Sequence, residues 1–154
     1  MNPARLFALS LVALLVGLAG CGSSPKTVTK AQYQAQLAAS SQAIRAAGQE
    51  LGKSRTVADL NGGVSGFQNA LRAGEKNLKG LQPPANARAA NKRLAQAFGD
   101  LADALEPVKE ARRVSIVKAR QALGDLGKTD AIKEGREAIK ELDRLGYSAS
   151  GAAP

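Results

Sequence analysis

The chain has 154 residues, a formal net charge of +9, one cysteine, and no histidine or tryptophan. Without histidine, it cannot form Ser-His or Cys-His nucleophile pairs, imidazole zinc sites or the Glu-x-x-His di-iron pattern of helical bundles. Alanine, leucine, lysine, arginine, glutamate and glutamine are abundant, and this composition favours helix. We therefore expect a helical protein that is not an enzyme. The remaining catalytic alternative is an enzyme that uses lysine, tyrosine or carboxylates alone.

The first twenty residues have the layout of a bacterial export signal. Arg5 is the charged side chain of a short head, and an apolar run follows from Leu6 to Leu18. This run is shorter than the roughly 20 residues that a membrane-spanning helix needs. An ordinary signal peptide is the other alternative, but it leaves Cys21 as a lone thiol outside the cell, where such thiols oxidise or cross-link.

The run ends in Leu18-Ala19-Gly20-Cys21, which resembles the lipobox of bacterial lipoproteins. A leucine three residues before the cysteine and two small residues between them carry the resemblance. It implies removal of residues 1–20, a diacylglycerol on the Cys21 thiol, acyl chains such as palmitate, and no further cofactor. The mature chain of 154 minus 20, or 134, residues is then anchored by lipid at the extracytoplasmic face of the cell membrane.

Two helices are predicted in the first half of the mature chain. Thr29 can cap a first helix over 30–51, which Gly52 ends, and Thr56 can cap a second helix that runs to Leu81. Apolar residues recur in both at helical spacings of three, four and seven: Tyr33, Leu37, Ile44, Ala47 and Leu51 in the first, and Leu60, Val64, Phe67, Leu71, Leu78 and Leu81 in the second.

Gln82-Pro83-Pro84 ends the second helix, because proline has no backbone N–H and disfavours helical geometry in the residue before it. A third helix is predicted to open near Asn86 and to continue to Leu126. Pro107 interrupts it, and we expect a kink there because the helical pattern resumes without a loop signal.

A fourth helix is predicted to start at a cap, either Thr129 or Asp130, and to end at Gly146. Together the four segments predict an all-α fold, an antiparallel up-and-down four-helix bundle over 30–146 with a long third helix kinked at Pro107. Residues 21–29 are predicted to form a flexible tether, and residues 147–154 a disordered tail.

A second resemblance comes from the residues around the proline turn. The pattern is similar to that of small alanine-rich helical lipoproteins of actinobacteria, most of which have no assigned role; it consists of Leu78, Leu81, Pro83, Pro84, Asn91 and Leu94. The resemblance implies a helical bundle and supplies no catalytic residue.

Two polar patterns have both a chemical and a structural interpretation. Gly62-Gly63-Val64-Ser65-Gly66 suggests a phosphate-binding loop, but no strand precedes it and no Gly-Lys-Ser/Thr follows, so a pliable first turn of helix two is favoured. Each of its three glycines is expected to weaken the helix by up to roughly 1 kcal/mol relative to alanine.

The second pattern consists of carboxylates along one side of helix three: Asp100, Asp103, Glu106 and Glu110. One helix face cannot surround a cation, so we expect a solvated stripe that pairs with Lys109, Arg113 or a neighbouring helix.

Cations on both sides of the proline turn form a candidate binding patch for an anionic partner, because antiparallel helices two and three bring them to one end. They are Arg72, Lys76, Lys79, Arg88, Lys92 and Arg93. Ordinary solvating charge is the structural alternative. Anionic phospholipid, a wall polymer or an acidic protein suits such a patch. Nucleic acid is not expected as a partner outside the cell, and the chain has few aromatic residues to stack on bases.

Two functional hypotheses follow. The first is a lipid-anchored, non-enzymatic helical module that binds a partner or supports structure at the membrane surface. The second is a small-ligand carrier or sensor subunit, with an apolar cavity lined by Phe67, Phe98, Leu101 and Leu105.

Overall fold

A computed structural model describes residues 27–148 and confirms the all-α class, with no strand in this range. The helices are α1 (Lys30–Gly52), α2 (Val57–Gly80), α3 (Arg88–Ala104), α4 (Glu106–Val114), α5 (Ile116–Leu126) and α6 (Asp130–Arg144), with a 3₁₀ turn at Ala85–Ala87. The predicted signal, the lipobox with Cys21, most of the tether and the last six residues lie outside the described range. No helix within that range combines the length and apolar character required to cross a membrane.

Threonine caps set the starts of the first two helices, as the sequence predicts. Thr29 accepts a hydrogen bond from the Gln32 backbone N–H, and its own N–H donates to Gln32 Oε1 at 2.9 Å. Thr56 and Asp59 repeat the arrangement, with the Thr56 N–H donating to Asp59 Oδ2 at 3.0 Å. Each capping box satisfies two backbone donors that the helix itself leaves unpaired.

Helices α1, α2 and α3 pack side by side with alternating direction. The Val28 N–H, just before α1, donates to the Gln82 carbonyl just after α2, at 2.9 Å. Between α2 and α3, the Asn91 amide donates to the Leu78 carbonyl at 3.0 Å, and the Gln68 amide donates to the Ala102 carbonyl at 2.8 Å. The end of α2 therefore lies beside the starts of both α1 and α3.

Helix α6 closes the body by returning along α3. Arg93 on α3 pairs with Glu141 on α6, and Tyr147, just beyond α6, donates from its hydroxyl to Asn86 Oδ1 at 2.9 Å. One end of the body thus contains the starts of α1 and α3 and the ends of α2 and α6. We call it the entry end, because the chain enters the body there, and we call the opposite end the far end.

The predicted long third helix is divided into three, which corrects the continuous helix expected over 86–126. The chain bends at Leu105, and Pro107 lies in the first turn of α4, where a missing N–H costs no hydrogen bond. At Ser115 the backbone is extended (φ −165°, ψ 154°), so the helix stops there instead of only kinking. The Ser115 hydroxyl accepts the Lys118 N–H at 3.1 Å and caps α5, which packs back on α4.

The pair α4 and α5 forms a helical arm between the end of α3 and the start of α6. Val108 and Ala119 attach it to the core, since both are fully buried. Its corner leaves Val114 67 % and Val117 71 % exposed. The β-branched residues around Ser115 disfavour helix, and this local preference agrees with the break.

The centre of the body is closely packed. Tyr33, Leu37, Leu71 and Phe98 are among its buried side chains. At Gly74, an added Cβ would lie 3.1 Å from the Phe98 ring and would also crowd α1. Helices α1, α2 and α3 therefore approach as closely as a glycine at this position allows.

The last helix ends two residues before the predicted stop, and the body continues past it. Thr129 occupies the cap position, but its hydroxyl donates back to the Leu126 carbonyl at 2.7 Å. Gly146 has φ +79°, and the Tyr147 N–H donates to the Leu142 carbonyl at 2.9 Å, which is a Schellman ending. Tyr147 is 3 % exposed, so it belongs to the core and not to the disordered tail predicted from residue 147.

Candidate functional site: the basic entry end

The proline turn brings α2 and α3 together around a groove at the entry end. The groove has a volume of about 370 Å³, and its lining includes Leu78, Leu81, Lys79, Lys92 and Asn91. Lys79 on α2 and Lys92 on α3 are separated in sequence by the proline turn, but both line this groove. The apolar part of this lining and the two lysines together suit an amphipathic anion better than a simple ion.

Asn91 fixes the floor of this groove, and sequence analysis gave it no role. Its side chain accepts a hydrogen bond from the Tyr33 hydroxyl at 3.0 Å and donates one to the Leu78 carbonyl at 3.0 Å. One buried amide therefore connects α1, α2 and α3. The sequence signal was a polar residue, three positions before Leu94, on the apolar face of α3.

Two tyrosines close the entry end beside that amide. The rings of Tyr33 and Tyr147 meet edge to face with centroids 5.2 Å apart, and Lys30 Nζ lies 5.4 Å from the centre of the Tyr147 ring. Burial, and to a lesser extent the neighbouring Tyr147, raises the pKa of Tyr33 far above its ordinary value. The Tyr33 phenol thus remains a hydrogen-bond donor across the whole neutral range.

Three cations of the predicted patch have carboxylate partners. Glu75 accepts from Lys79 at 2.6 Å and from Arg72 at 3.1 Å, and Arg72 also pairs with Asp103 on α3. The hydrogen bond from Lys79, followed by that from Arg72, lowers the pKa of Glu75 despite its partial burial. Arg93 in turn faces Glu141. The positive charge of these three side chains is partly neutralised within the protein.

The other three members, Lys76, Arg88 and Lys92, are exposed and form no ion pair or side-chain hydrogen bond with any residue in 27–148. Lys76 lines a second groove on the outer side of α2, next to Leu81. Arg88 is the first residue of α3. These three side chains, which we call the unpaired triad, are free to bind an external anion.

Arg88 occupies a position that folding does not favour for a cation. The first turn of α3 contains no acidic residue, and the helix dipole places partial positive charge at that end. A cation there destabilises a helix by roughly 0.3–1 kcal/mol.

The charge of the whole body is concentrated at this end. Residues 27–148 contain 20 lysines and arginines and 13 carboxylates, a formal charge of +7. The entry end, taken as residues 27–33, 76–93 and 140–148, has eight cations and two carboxylates, a formal charge of +6. Elsewhere positive and negative side chains nearly cancel.

The acidic stripe of α3 and α4 is paired surface, as expected. Asp103 pairs with Arg72, Glu106 with Lys109 at 2.9 Å, and Glu110 with Arg113 at 3.0 Å. Glu106 also accepts a hydrogen bond from Gln68 on α2, and this bond is the main reason that its pKa is lowered. Within residues 27–148, no cluster of three or more potential metal ligands occurs.

The glycine-rich segment lies within a regular helix, not in a phosphate-binding loop or a frayed turn. Gly62, Gly63 and Gly66 line a far-end groove of about 470 Å³ that also contains Glu50 and Asp59. The groove also contains Lys53, but this cation is paired with Glu50 at 2.7 Å, so the groove keeps a net negative charge that does not suit phosphate. At Gly63 the backbone of α2 approaches α1 so closely that a Cβ would lie 2.9 Å from Leu51 Cα.

The residues expected to line an internal cavity are part of the packed core. Phe98, Leu101 and Leu105 are buried, and Phe67 is partly buried against them. The grooves described above are lined by other residues. The packing therefore gives the small-ligand carrier no support.

Comparison of the chain with protein family models, with curated proteins and with solved structures finds no match. The functional argument therefore depends on the residues themselves.

Proposed function

We propose that the protein is a lipid-anchored, non-enzymatic helical module that binds a partner at the extracytoplasmic face of a bacterial membrane. The observation that carries the proposal is the lipobox pattern Leu18-Ala19-Gly20-Cys21, followed nine residues after Cys21 by a helical body that begins at Lys30. The lipid confines the body to a thin layer next to the membrane. Confinement raises its effective concentration toward membrane and wall partners.

The surface of the body supports binding as the mode of action. Its net positive charge lies at one end, and the unpaired triad leaves three cations there available to an anion. A rigid body with polarised charge can recognise a partner through its surface, without a reaction centre.

Lipidation is tested by expressing the full-length chain in a bacterium that is fed an alkyne-labelled fatty acid. We expect the label in the wild-type protein and its loss in Cys21→Ser, while Ser23→Ala is a matched control that keeps the label. In cells treated with globomycin, the precursor with residues 1–20 should accumulate. A mature protein with an unmodified Cys21 thiol would refute the anchor.

The non-enzymatic part of the proposal is tested separately, by incubating the purified protein with extracts of the cell envelope and following small molecules by mass spectrometry. We expect no difference from a heat-unfolded control. A reproducible, protein-dependent conversion would refute this part and leave the lipid anchor unaffected.

A further inference from the structure

We infer that the entry end is a docking surface for anionic phospholipid, so that the body stands on the membrane with the entry end against the headgroups. This inference rests on the proposed lipid anchor and names the partner of the basic patch. The unpaired triad of Lys76, Arg88 and Lys92 makes the contact.

The position of the anchor relative to the body is the first argument. Lys30 lies nine positions after Cys21, and nine residue steps span at most about 32 Å when fully extended. The entry end is therefore always held within that distance of the lipid. Helix α1 has 23 residues, so the far end lies roughly 34 Å farther along the body. The lipid therefore limits how far the entry end can move from the membrane more tightly than it limits the far end.

The charge distribution is the second argument. The entry end has a formal charge of +6 out of the +7 of residues 27–148. A bilayer rich in anionic lipid attracts cations within about one Debye length, about 8 Å at physiological salt. A surface of this charge, held close by a tether, is drawn onto such a bilayer.

The form of the surface is the third argument. Among residues 27–148, the exposed large apolar side chains are Val57, Val114 and Val117, and none of them lies at the entry end. Insertion of an apolar wedge is thus not the mode of contact. The groove between α2 and α3, however, is lined by Lys79 and Lys92 together with the apolar Leu78 and Leu81, and this combination suits the phosphate and glycerol region of a phospholipid.

The contact can be measured with the full-length protein, purified from membranes and reconstituted in vesicles. If Cys21 is acylated, a cysteine introduced on the surface is the sole free thiol. A fluorophore at Ala85→Cys reports on the entry end, and one at Ala58→Cys reports on the far end, since both residues are exposed. Nitroxide-headgroup lipids quench a fluorophore that lies near the bilayer surface.

We expect the Ala85 label to be quenched strongly in vesicles with about one-third phosphatidylglycerol, and weakly in pure phosphatidylcholine. The Ala58 label should remain unquenched in both. At about 1 M salt, where the Debye length is about 3 Å, the quenching of the Ala85 label should fall to the value in phosphatidylcholine.

Two charge-matched variants separate the unpaired triad from net charge. Lys76→Gln/Arg88→Gln/Lys92→Gln should reduce partitioning onto the anionic surface on the order of 100-fold, because each cation contributes about fivefold. The control Arg55→Gln/Lys118→Gln/Arg120→Gln removes the same charge from exposed positions away from the entry end and should retain the quenching. Far-UV circular dichroism checks that both variants keep the helical fold.

Equal quenching of the Ala85 label in the two vesicle types, or equal loss in the two triple variants, overturns the inference. Binding of soluble polyglycerol phosphate without quenching on anionic vesicles overturns it in favour of a wall polymer. Mass spectrometry of the N-terminal peptide reports the anchor independently. An unacylated Cys21 refutes the proposed function, whereas quenching of the Ala85 label on anionic vesicles in a Cys21→Ser background, where it is again the sole thiol, would still support the docking surface.

Discussion

Two glycines of α2 are expected to respond in opposite directions when each is replaced by alanine. Alanine favours a helix interior over glycine by about 1 kcal/mol. At Gly66, an added Cβ would meet no atom within 4 Å, so Gly66→Ala should stabilise the protein by about that amount. At Gly63, the same atom would lie 2.9 Å from Leu51 Cα and 2.9 Å from Ser54 Oγ.

The contact at Gly63 involves backbone, which a side-chain rotation cannot relieve. Overpacking of this kind costs roughly 1–3 kcal/mol, which exceeds the gain in helix propensity. We therefore expect Gly63→Ala to destabilise the protein by about 1 kcal/mol, so the two variants should differ by about 2 kcal/mol.

Thermal unfolding followed by far-UV circular dichroism measures this difference. For a body of this size, 1 kcal/mol corresponds to a change in Tm of about 4 °C, so the variants should be separated by about 8 °C. Gly62→Ala is a control, because its added Cβ would also meet nothing within 4 Å, and it should behave like Gly66→Ala. A rise in Tm for Gly63→Ala equal to that for Gly66→Ala would show that α1 and α2 are not in the close contact described.

Three further predictions concern the entry end and Glu75, the carboxylate next to it that pairs with Lys79, and are read from urea unfolding midpoints. Tyr33→Phe leaves Asn91 Oδ1 without its donor and should cost about 1–2 kcal/mol. Burial raises the pKa of Tyr33, so the contribution of its neutral phenol to the free energy of unfolding is complete below about pH 10 and declines above it. The Tyr33→Phe protein should therefore lose less stability than wild type in strong alkali. Parallel curves of stability against pH for the two proteins would contradict this. Arg88→Glu should stabilise the fold by about 1 kcal/mol, because a carboxylate suits the start of α3 and can form an i,i+4 pair with Lys92. The same change should weaken membrane docking. If folding stability and docking both increased, or both decreased, the separate roles of Arg88 in folding and in docking would be contradicted. The lowered pKa of Glu75 means that its ion pairs stabilise above its ordinary pKa and are lost as pH falls, so Glu75→Gln should cost about 1 kcal/mol near neutrality and nothing in strong acid; a constant deficit would contradict it.

Features decided by neighbouring residues were predictable from the sequence. Thr29 and Thr56 cap their helices because each has a partner three residues later, and the prolines after Gln82 end α2 by their own geometry. Helix periodicity likewise identified the core residues Leu37 and Leu71, because burial in a bundle follows the apolar face.

The break at Ser115 was missed although the sequence contained a signal for it. A serine between Val114 and Ile116 combines a good N-cap with β-branched neighbours. The helical pattern that resumes beyond Pro107 predicts one kinked helix, but its later part belongs to a new helix that packs back on α4. Periodicity alone cannot separate a curved helix from two helices joined by one extended residue.

The candidate patch was predictable as a group of residues, but not in its internal pairing. The bond between Lys79 and Glu75 follows from their i,i+4 spacing, which the sequence shows. The partners of Arg72 on α3 and of Arg93 on α6 depend on how the helices pack, so no local pattern indicates them. The structure is therefore needed to separate the unpaired triad from the three cations of the patch that have carboxylate partners.

The Schellman ending at Gly146 and the burial of Tyr147 have a practical consequence for handling the protein. They place Ser148 in a groove beside Ala38, Ser41 and Arg45, along the side of α1. An affinity tag or fluorescent protein fused after residue 148 would therefore start against α1 and would crowd that side of the body. The loop between α1 and α2, at the opposite pole, is the better insertion point, and a reporter placed there would leave the membrane-facing side of the molecule unobstructed.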